Sequence, residues 1–207
     1  MIGVVIPTLP GREALYERTV AAYKETADVA IITVRNRPTI GQAWNDGAAV
    51  VVDAPEILYL HLSADDVLPQ PGWAEAAVFA VHRNVYPSPR ILNADGSLHS
   101  CGTMGGGMLL PECADWTVCG TSPFPFMEAA AWRKIGPTLP IGYYADDFLA
   151  WKARQAGYSP QVVRDFCLVH LEGTVGRQRS VNRSMQDRMA YLAAVGVESP
   201  APAEVVA

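Results

Sequence analysis

The residues best able to do chemistry in this 207-residue chain are two pairs of acids and one late histidine. Ser63-Ala64-Asp65-Asp66 directly follows the apolar run Ile57 to Leu62. That run has branched and aromatic residues and no breaker, which predicts a buried strand with the carboxylates at its exit. Hard cations such as Mg2+ and Mn2+ take oxygen ligands, often one or two carboxylates plus substrate phosphates. Asp65 is the first candidate ligand, and a one-residue shift of the turn gives its place to Asp66. The same residues also suit plain turn or capping chemistry before Pro69-Gln70-Pro71. Asp146-Asp147 opens a predicted helix, Asp146 to Ala156, stopped by Gly157. A carboxylate there could serve as a general base toward a hydroxyl, or could simply complement the helix dipole. His170 ends a predicted strand from Phe166, where an imidazole could hold a cation or only hydrogen-bond within the protein.

These groups need a frame that brings them together. Ile2 to Ile6 predicts a first strand, broken by Pro7-Thr8-Leu9-Pro10-Gly11. Leu15, Tyr16, Val20 and Tyr23 recur at helical spacing, predicting a helix from Arg12 to Thr26. Val29 to Val34 predicts a second strand. Thr39-Ile40-Gly41-Gln42 fits a capping box that starts a helix running past Asn45. A helix over Trp73 to Val81 follows the third strand. Strand and helix alternate, which argues for a mostly parallel sheet with helices on both faces. Ligands in such sheets bind at the carboxyl ends of the strands, so the loops after Ile6 and Leu62 converge on one edge. Farther along, Asn93-Ala94-Asp95-Gly96 predicts a hairpin turn, and Gly105-Gly106-Gly107 a flexible loop. Glu128 to Ile135 predicts a short helix ended by Gly136-Pro137, and Arg177 to Ala194 a terminal helix.

Composition narrows the function classes. The chain is half hydrophobic, enough for one core, and its length fits a single domain over residues 1–198 with a disordered tail over 199–207. No run approaches the roughly eighteen apolar residues of a membrane span, and the first residues lack a signal-peptide pattern, so a cytoplasmic protein is expected. A net charge of -5 gives no basic footprint for nucleic acid. Arg177, Arg179, Arg183 and Arg188 still form a local basic strip, either a solvated helix face or an anion contact. Cys101, Cys113, Cys119 and Cys167 contain no Cys-x-x-Cys spacing and are read as reduced thiols.

Taken in order, these pieces resemble glycosyltransferase family 2, inverting enzymes of the GT-A fold. Val4-Val5-Ile6-Pro7-Thr8 looks like the family's first strand and nucleotide-contacting loop. Gly41-Gln42-Ala43-Trp44-Asn45-Asp46-Gly47 is similar to its stretch of Gly, three residues, Asn, one residue, Gly. Tyr59 to Pro69 resembles the strand leading into the Asp-x-Asp motif, with Ser63 in place of the first Asp. Asp146-Asp147 looks like the family's Glu-Asp pair, followed by Arg154, Gly157 and Tyr158. Val169-His170 through Gly173-Thr174 resembles the late histidine of the metal site.

The resemblance implies a GT-A, Rossmann-like mixed sheet and transfer of a sugar from a UDP-, GDP- or dTDP-sugar to an acceptor hydroxyl. It implies Mn2+ or Mg2+ held by Asp65 and His170, and Asp146 or Asp147 as the base. A donor-contacting set of Pro7, Thr8, Arg12, Asn36, Asn45, Ser63 and Ala64 is implied as well, with Arg177 and Arg179 closing over the diphosphate. No acid stands at Arg35-Asn36-Arg37, where family members usually read the nucleobase. A glycan, a protein side chain or a modified nucleic acid is the expected acceptor, and no oligomeric state is readable. Two rival readings are a non-catalytic module that binds sugar nucleotides or glycans, and a sugar-phosphate nucleotidyltransferase. The latter would open with a Gly-rich loop and several basic residues, of which only Gly11-Arg12 is present.

Overall fold

A computed structural model describes residues 1–103, 114–171 and 181–196. The chain begins with strand β1 (Ile2–Thr8), helix α1 (Glu13–Thr26), strand β2 (Val29–Arg35), helix α2 (Ile40–Val52) and strand β3 (Tyr59–Leu62). It continues with β4 (Val67–Pro69), α3 (Trp73–Val81), β5 (Val85–Asn93), β6 (Leu98–Ser100) and β7 (Phe126–Glu128). A short 3-10 turn leads into α4 (Trp132–Ile135), then α5 (Ala145–Gln155), β8 (Ser159–His170) and α6 (Val181–Val195). The first half follows the expected alternation closely. The Gly105-Gly106-Gly107 loop and the 199–207 tail lie outside the described residues.

The strands form two four-stranded sheets, β2-β1-β3-β7 and β4-β8-β5-β6. In the first, β1 runs parallel to β2 and β3, and β7 closes the far side antiparallel to β3. In the second, β8 is parallel to β5 and antiparallel to β4, and β6 completes the expected hairpin with β5. Parallel pairing is thus concentrated at β1 and at the β5–β8 pair. The short strands β4 and β7 were not expected, because three residues give no readable period. Pro87 and Pro89 hid the start of β5. Among the described residues Val85–Pro89 has a ladder only toward β8, and a strand paired on one side tolerates residues that cannot donate.

Alternation along β1 divides the core. Ile2, Val4 and Ile6 pack with Tyr23 of α1, with Trp73 and Ala77 of α3, and with Phe166 and Leu168 of β8. Val5 faces the other way, onto Trp44, Ala48 and Val51 of α2 and onward to Leu149 of α5. Helices therefore cover both faces, each apolar stripe buried against a sheet. Of the cysteines, Cys119 and Cys167 are free, but Cys101 is disulfide-bonded. This corrects the expectation of four reduced thiols. Disulfide pairing follows spatial proximity, which the sequence spacing did not reveal.

The Gly-x3-Asn-x-Gly stretch of α2 has a clear packing logic. A methyl on Gly47 would collide with Val5, and one on Gly41 would collide with the Leu139 carbonyl. Gly41 N–H donates to Ile141 O at 3.1 Å, so the 138–141 loop lies directly on the first turn of α2. Thr39 caps that turn, its hydroxyl accepting from Gln42 N–H at 3.2 Å. Asn45 then grips the loop twice: its amide donates to Thr138 O and its carbonyl accepts from Thr138 N–H, both at 2.9 Å. Asn45→Ala removes both bonds and leaves the Thr138 backbone half-buried without them. It should cost about 1–3 kcal/mol in urea unfolding, whereas a loss below about 0.5 kcal/mol would show that the grip contributes little.

Candidate functional site

The acidic turn is anchored from below by a buried network. Ser63, His61 and Tyr23 are fully buried. His61 Nδ1 stands 3.2 Å from Pro125 O, and a carbonyl only accepts, so Nδ1 carries the hydrogen. His61 Nε2 then accepts from the Tyr23 hydroxyl at 2.8 Å, and the Tyr23 oxygen accepts from the Ser63 hydroxyl at 2.8 Å. Burial drives the His61 pKa down to about 3 and the Tyr23 pKa up, so the network is neutral. Trp44 Nε1–H holds Ser63 O from the other side at 2.9 Å. The Ser63 side chain thus faces the core, where a carboxylate would be buried against neutral rings.

Above this network the two carboxylates diverge. Asp65 turns onto Arg12, whose Nε lies 2.9 Å from each of its oxygens. Arg12 Nη2 reaches Asp66 Oδ2 at 3.0 Å. The antiparallel β4–β8 ladder sets Val67 against His170, and Leu171 N–H donates to Asp66 O at 2.8 Å. His170 Nε2 therefore stands 3.3 Å from Asp66 Oδ1. The structure brings His170 to Asp66 rather than to Asp65, and Asp65 is occupied by the guanidinium. Register explains the difference: Asp66 is the residue adjoining β4, so the ladder carries His170 to it. The His170 ring is flanked by His99 and Phe124, with centroids at 5.6 and 5.8 Å.

The opposite wall is the start of α5. Tyr144 takes a left-handed conformation at φ 64° before the helix begins. The Thr138 hydroxyl donates to Ala145 O at 2.6 Å, linking the Asn45 grip to the first turn. Asp187 of α6 accepts from Gly142 N–H and Tyr143 N–H, both at 2.9 Å, and Tyr191 stacks on Tyr144. Asp146 and Asp147 line a cleft of about 450 Å³ that also includes His170, with Trp44, His99, Phe124 and Tyr143 in its wall. Burial, then the neighbouring Asp147 charge, pushes the Asp146 pKa up to about 7. Burial also raises that of Asp147, opposed by Arg154. The helix dipole favours ionised acids at this position, but desolvation and mutual repulsion outweigh it at Asp146. Beside it the Tyr86 hydroxyl is buried without a hydrogen-bond partner among the described residues. A second depression, about 580 Å³, lies between α3 and the outer face of β5 and β8 and contains none of the expected site residues.

The remaining expected residues are scattered. Pro7, Thr8, Arg12, Asn36, Asn45, Ser63, Ala64 and Asp65 are not among the described residues lining the cleft. Thr8 and Asn36 sit together at the ends of β1 and β2, Asn36 N–H donating to Thr8 O at 3.2 Å. The Thr8 hydroxyl is buried without a partner among the described residues. Arg35 lies over the Tyr16 ring at 5.1 Å, and Arg37 pairs with Asp46. The Asn45 side chain is committed to Thr138. Arg177 and Arg179 fall outside the described residues. His99, Trp44, Phe124 and Tyr143 were not singled out from sequence. Trp44 lies inside the Gly41–Gly47 stretch and His99 stands three residues after Gly96 of the hairpin turn, so these two had a local signal.

Among the described residues no three His, Cys, Asp or Glu side chains gather into a cation cage. Asp66 and His170 instead supply one oxygen and one nitrogen donor side by side. That suits a divalent cation that fills the rest of its shell from water and a bound phosphate.

No family model matches the chain, and no curated protein is similar to it at a significant level. Solved structures are similar in fold. GalNAc-T7, crystallised with UDP, GalNAc and Mn2+, superposes with a TM-score of 0.64 at 12% identity over 93% of this chain. TarS of S. aureus gives 0.60 at 10% identity over 94%, and A197 from STIV gives 0.56 at 13% over 80%. The chain spans 48% of the GalNAc-T7 chain, 38% of TarS and 83% of A197. At these identities the likeness establishes the fold, which is the GT-A type of α/β architecture. Among the described residues no helix is long and apolar enough to cross a membrane.

The raised Asp146 pKa has a consequence for stability. Its folded value of about 7 exceeds the ordinary 3.8, so between those pH values the folded state holds a proton that the unfolded state has lost. Stability then falls as pH rises through that window, and above it the buried charge is a full penalty. Asp146→Asn should raise the Tm at pH 8 and change it little at pH 4. An equal shift at both values in calorimetry would contradict the assigned burial of charge.

Proposed function

We propose that the chain is an inverting glycosyltransferase that moves a sugar from a nucleotide diphosphate to an acceptor hydroxyl. One observation carries the reading: a single cleft places a carboxylate poised near neutral pKa, Asp146, together with His170 of the Asp66–His170 donor pair. Displacement at an anomeric carbon needs a proton acceptor for the attacking hydroxyl and neutralisation of the departing diphosphate. Asp146 would take the proton as the new oxygen–carbon bond forms. The anomeric carbon–oxygen bond breaks with its electron pair leaving on the diphosphate, and attack from the opposite face inverts the centre. Asp66 and His170 would hold Mn2+ or Mg2+, which supplies positive charge toward the diphosphate when bound. Asp147 would orient the acceptor, and Tyr143, His99 and Trp44 supply the polar and aromatic surfaces that suit a sugar ring.

The likeness to GalNAc-T7, whose structure contains UDP and Mn2+, supports the nucleotide-sugar class. UDP-, GDP- and dTDP-sugars all fit, since Arg35-Asn36-Arg37 carries no acid to choose the base. Thr8 and Asn36, with Pro7 beside them, would contact the nucleoside, and Arg177 and Arg179 the diphosphate. The acceptor would be a glycan, a protein side chain or a modified nucleic acid. The chain covers only part of the GalNAc-T7 and TarS chains, so this activity is proposed for the GT-A unit itself. One feature favours a second reading, a binding module without catalysis: the Arg12 guanidinium already neutralises Asp65 and part of Asp66.

Transfer from a nucleotide-sugar panel in the presence of Mn2+ distinguishes the two. Asp146→Asn should lower transfer about 10²–10⁴-fold while donor binding survives, and Asp147→Asn should be tolerated far better. The wild-type rate should rise with pH through about 7 as Asp146 loses its proton. Near wild-type rates in both variants would reject the mechanism, and donor binding without turnover in the wild type would favour the binding module.

A further inference from the structure

The depression between α3 and the outer face of β5 and β8 is built on a break in register. Pro89 of β5 pairs with Val163 of β8, yet the next residue, Arg90, pairs with Cys167. Residues 164–166 bulge out of the ladder, and bulges re-aim the side chains around them. Asp115 and Trp116 clasp this bulge. Asp115 Oδ1 accepts from Arg164 N–H at 2.7 Å, and Trp116 N–H donates to Val162 O at 2.8 Å. The clasp holds Trp116 in the left-handed region at φ 62°, a strained setting for a bulky residue. Its ring is 38% exposed and meets the 55% exposed ring of Phe79 on α3, with centroids 6.2 Å apart. The Arg83 guanidinium lies over both rings, at 5.1 and 5.5 Å, and braces the pair. Arg90 is half-buried between the strands. Its Nε is buried without a partner among the described residues, and its Nη2 has the Cys167 sulfur at 3.6 Å.

We propose that this depression is a second binding site, separate from the cleft, for a neutral glycan chain. Glu75, Asp115 and Asp165 line it together with Arg90, Phe79 and Trp116. Ionised carboxylates only accept hydrogen bonds and a guanidinium only donates them. A hydroxyl does both, so a polyhydroxylated ligand satisfies the acids and the arginine together. The two exposed rings offer the flat apolar surface that the C–H face of a sugar ring requires, and aromatic walls with a few polar groups are the usual make-up of a ligand site. Three acids against one arginine in the lining repel an anion. A cation would meet Arg90 between the acids and Arg83 over the rings. A purely apolar partner would strip water from these charges without pairing them. The volume of about 580 Å³ falls within the range of small-ligand sites, roughly 300–1,000 Å³. The described linings of depression and cleft share no residue. Ile91 lines the cleft while Arg90 and Leu92 line the depression, so the two sites lie on opposite faces of β5. The second site stands whether or not the cleft transfers sugar.

Saturation-transfer difference NMR on the full-length protein tests this with neutral tetrasaccharides: maltotetraose, cellotetraose, tetra-N-acetylchitotetraose and mannotetraose. At least one should bind, and more tightly than anionic tetragalacturonate. Phe79→Ala removes an exposed ring from a helix that accepts alanine, and Trp116→Gly keeps the left-handed backbone available. Each should weaken binding about ten-fold, the scale of one lost aromatic contact. Asp147→Asn, in the cleft, should bind as wild type does. No binding of any neutral probe overturns the proposal, as does tighter binding of tetragalacturonate. Wild-type affinity in whichever of Phe79→Ala and Trp116→Gly is folded by circular dichroism overturns it too. A loss in Asp147→Asn equal to that in the ring variants would put the glycan in the cleft instead. A wild-type dimer in sedimentation that Phe79→Ala makes monomeric, with no glycan bound, would make the rings an interface between copies of the chain.

Discussion

Two hydrogen bonds between the Asn45 amide and the Thr138 backbone join parts of the chain that are far apart in sequence. The acidic turn joins β3 of the first sheet to β4 of the second, while Asp146 and Asp147 belong to a helix that enters much later. Nothing in the intervening chain dictates their separation. Gly41 and Gly47 let α2 sit close to both β1 and the 138–141 loop, and Asn45 fixes the loop on that surface. Thr138 passes the constraint on to Ala145, and Asp187 with Tyr191 holds the following turn from outside. The cleft is therefore as well defined as this grip. Asn45, a residue expected as a donor contact, is in this structure a positioning element for the opposite wall.

The two acid pairs owe their different chemistry to their neighbours. Asp65 and Asp66 face a guanidinium and an imidazole, so charge there is compensated. Breaking such a buried pair on one side is costly because the other charge remains. At Asp146 and Asp147 burial comes first, reinforced at Asp146 by the Asp147 charge and opposed at Asp147 by Arg154, so the fold favours a proton on Asp146. Separating a compensated pair from an uncompensated one is a general way to keep one set of carboxylates ionised and another partly protonated in one fold. Neither environment requires the Asp-x-Asp spelling. With Ser63 turned into the Tyr23–His61 network, the turn is held by neutral hydrogen bonds and the ionic work passes to Arg12 and the next two acids.

Much of the frame was legible because its periods are strong. The apolar run of β1, the helical spacing of α1, the Trp73 to Val81 helix and the Asp95-Gly96 hairpin all stand at or near their expected bounds. Short or proline-bearing strands were not legible, since β4 and β7 are too brief to show alternation and Pro87 and Pro89 read as breakers. The candidate site was legible as a set of residue types but not as partners. His170 and the acid pair at 146–147 do share a cleft, yet the assignment of Asp66 rather than Asp65 to His170 depends on the β4–β8 register, which no local pattern encodes. The roles of Arg12, Asn45 and Asp187 were hidden for the same reason, as each acts on a residue distant in sequence. The disulfide at Cys101 was missed because pairing needs proximity, not spacing.

The central claim is that the diphosphate and its cation are received at Asp66 and His170, across the cleft from Asp146. Paramagnetic broadening by Mn2+ in the presence of UDP measures this directly, since it falls off steeply with distance from the ion. The account predicts strong broadening of the His170 ring resonances, weaker broadening at His99, and broadening of the Tyr143 and Tyr144 amides across the cleft. His82, on the far side of α3, should stay sharp. A sharp His170 ring under saturating Mn2+ and UDP would contradict the account and remove the cation from this end of the cleft.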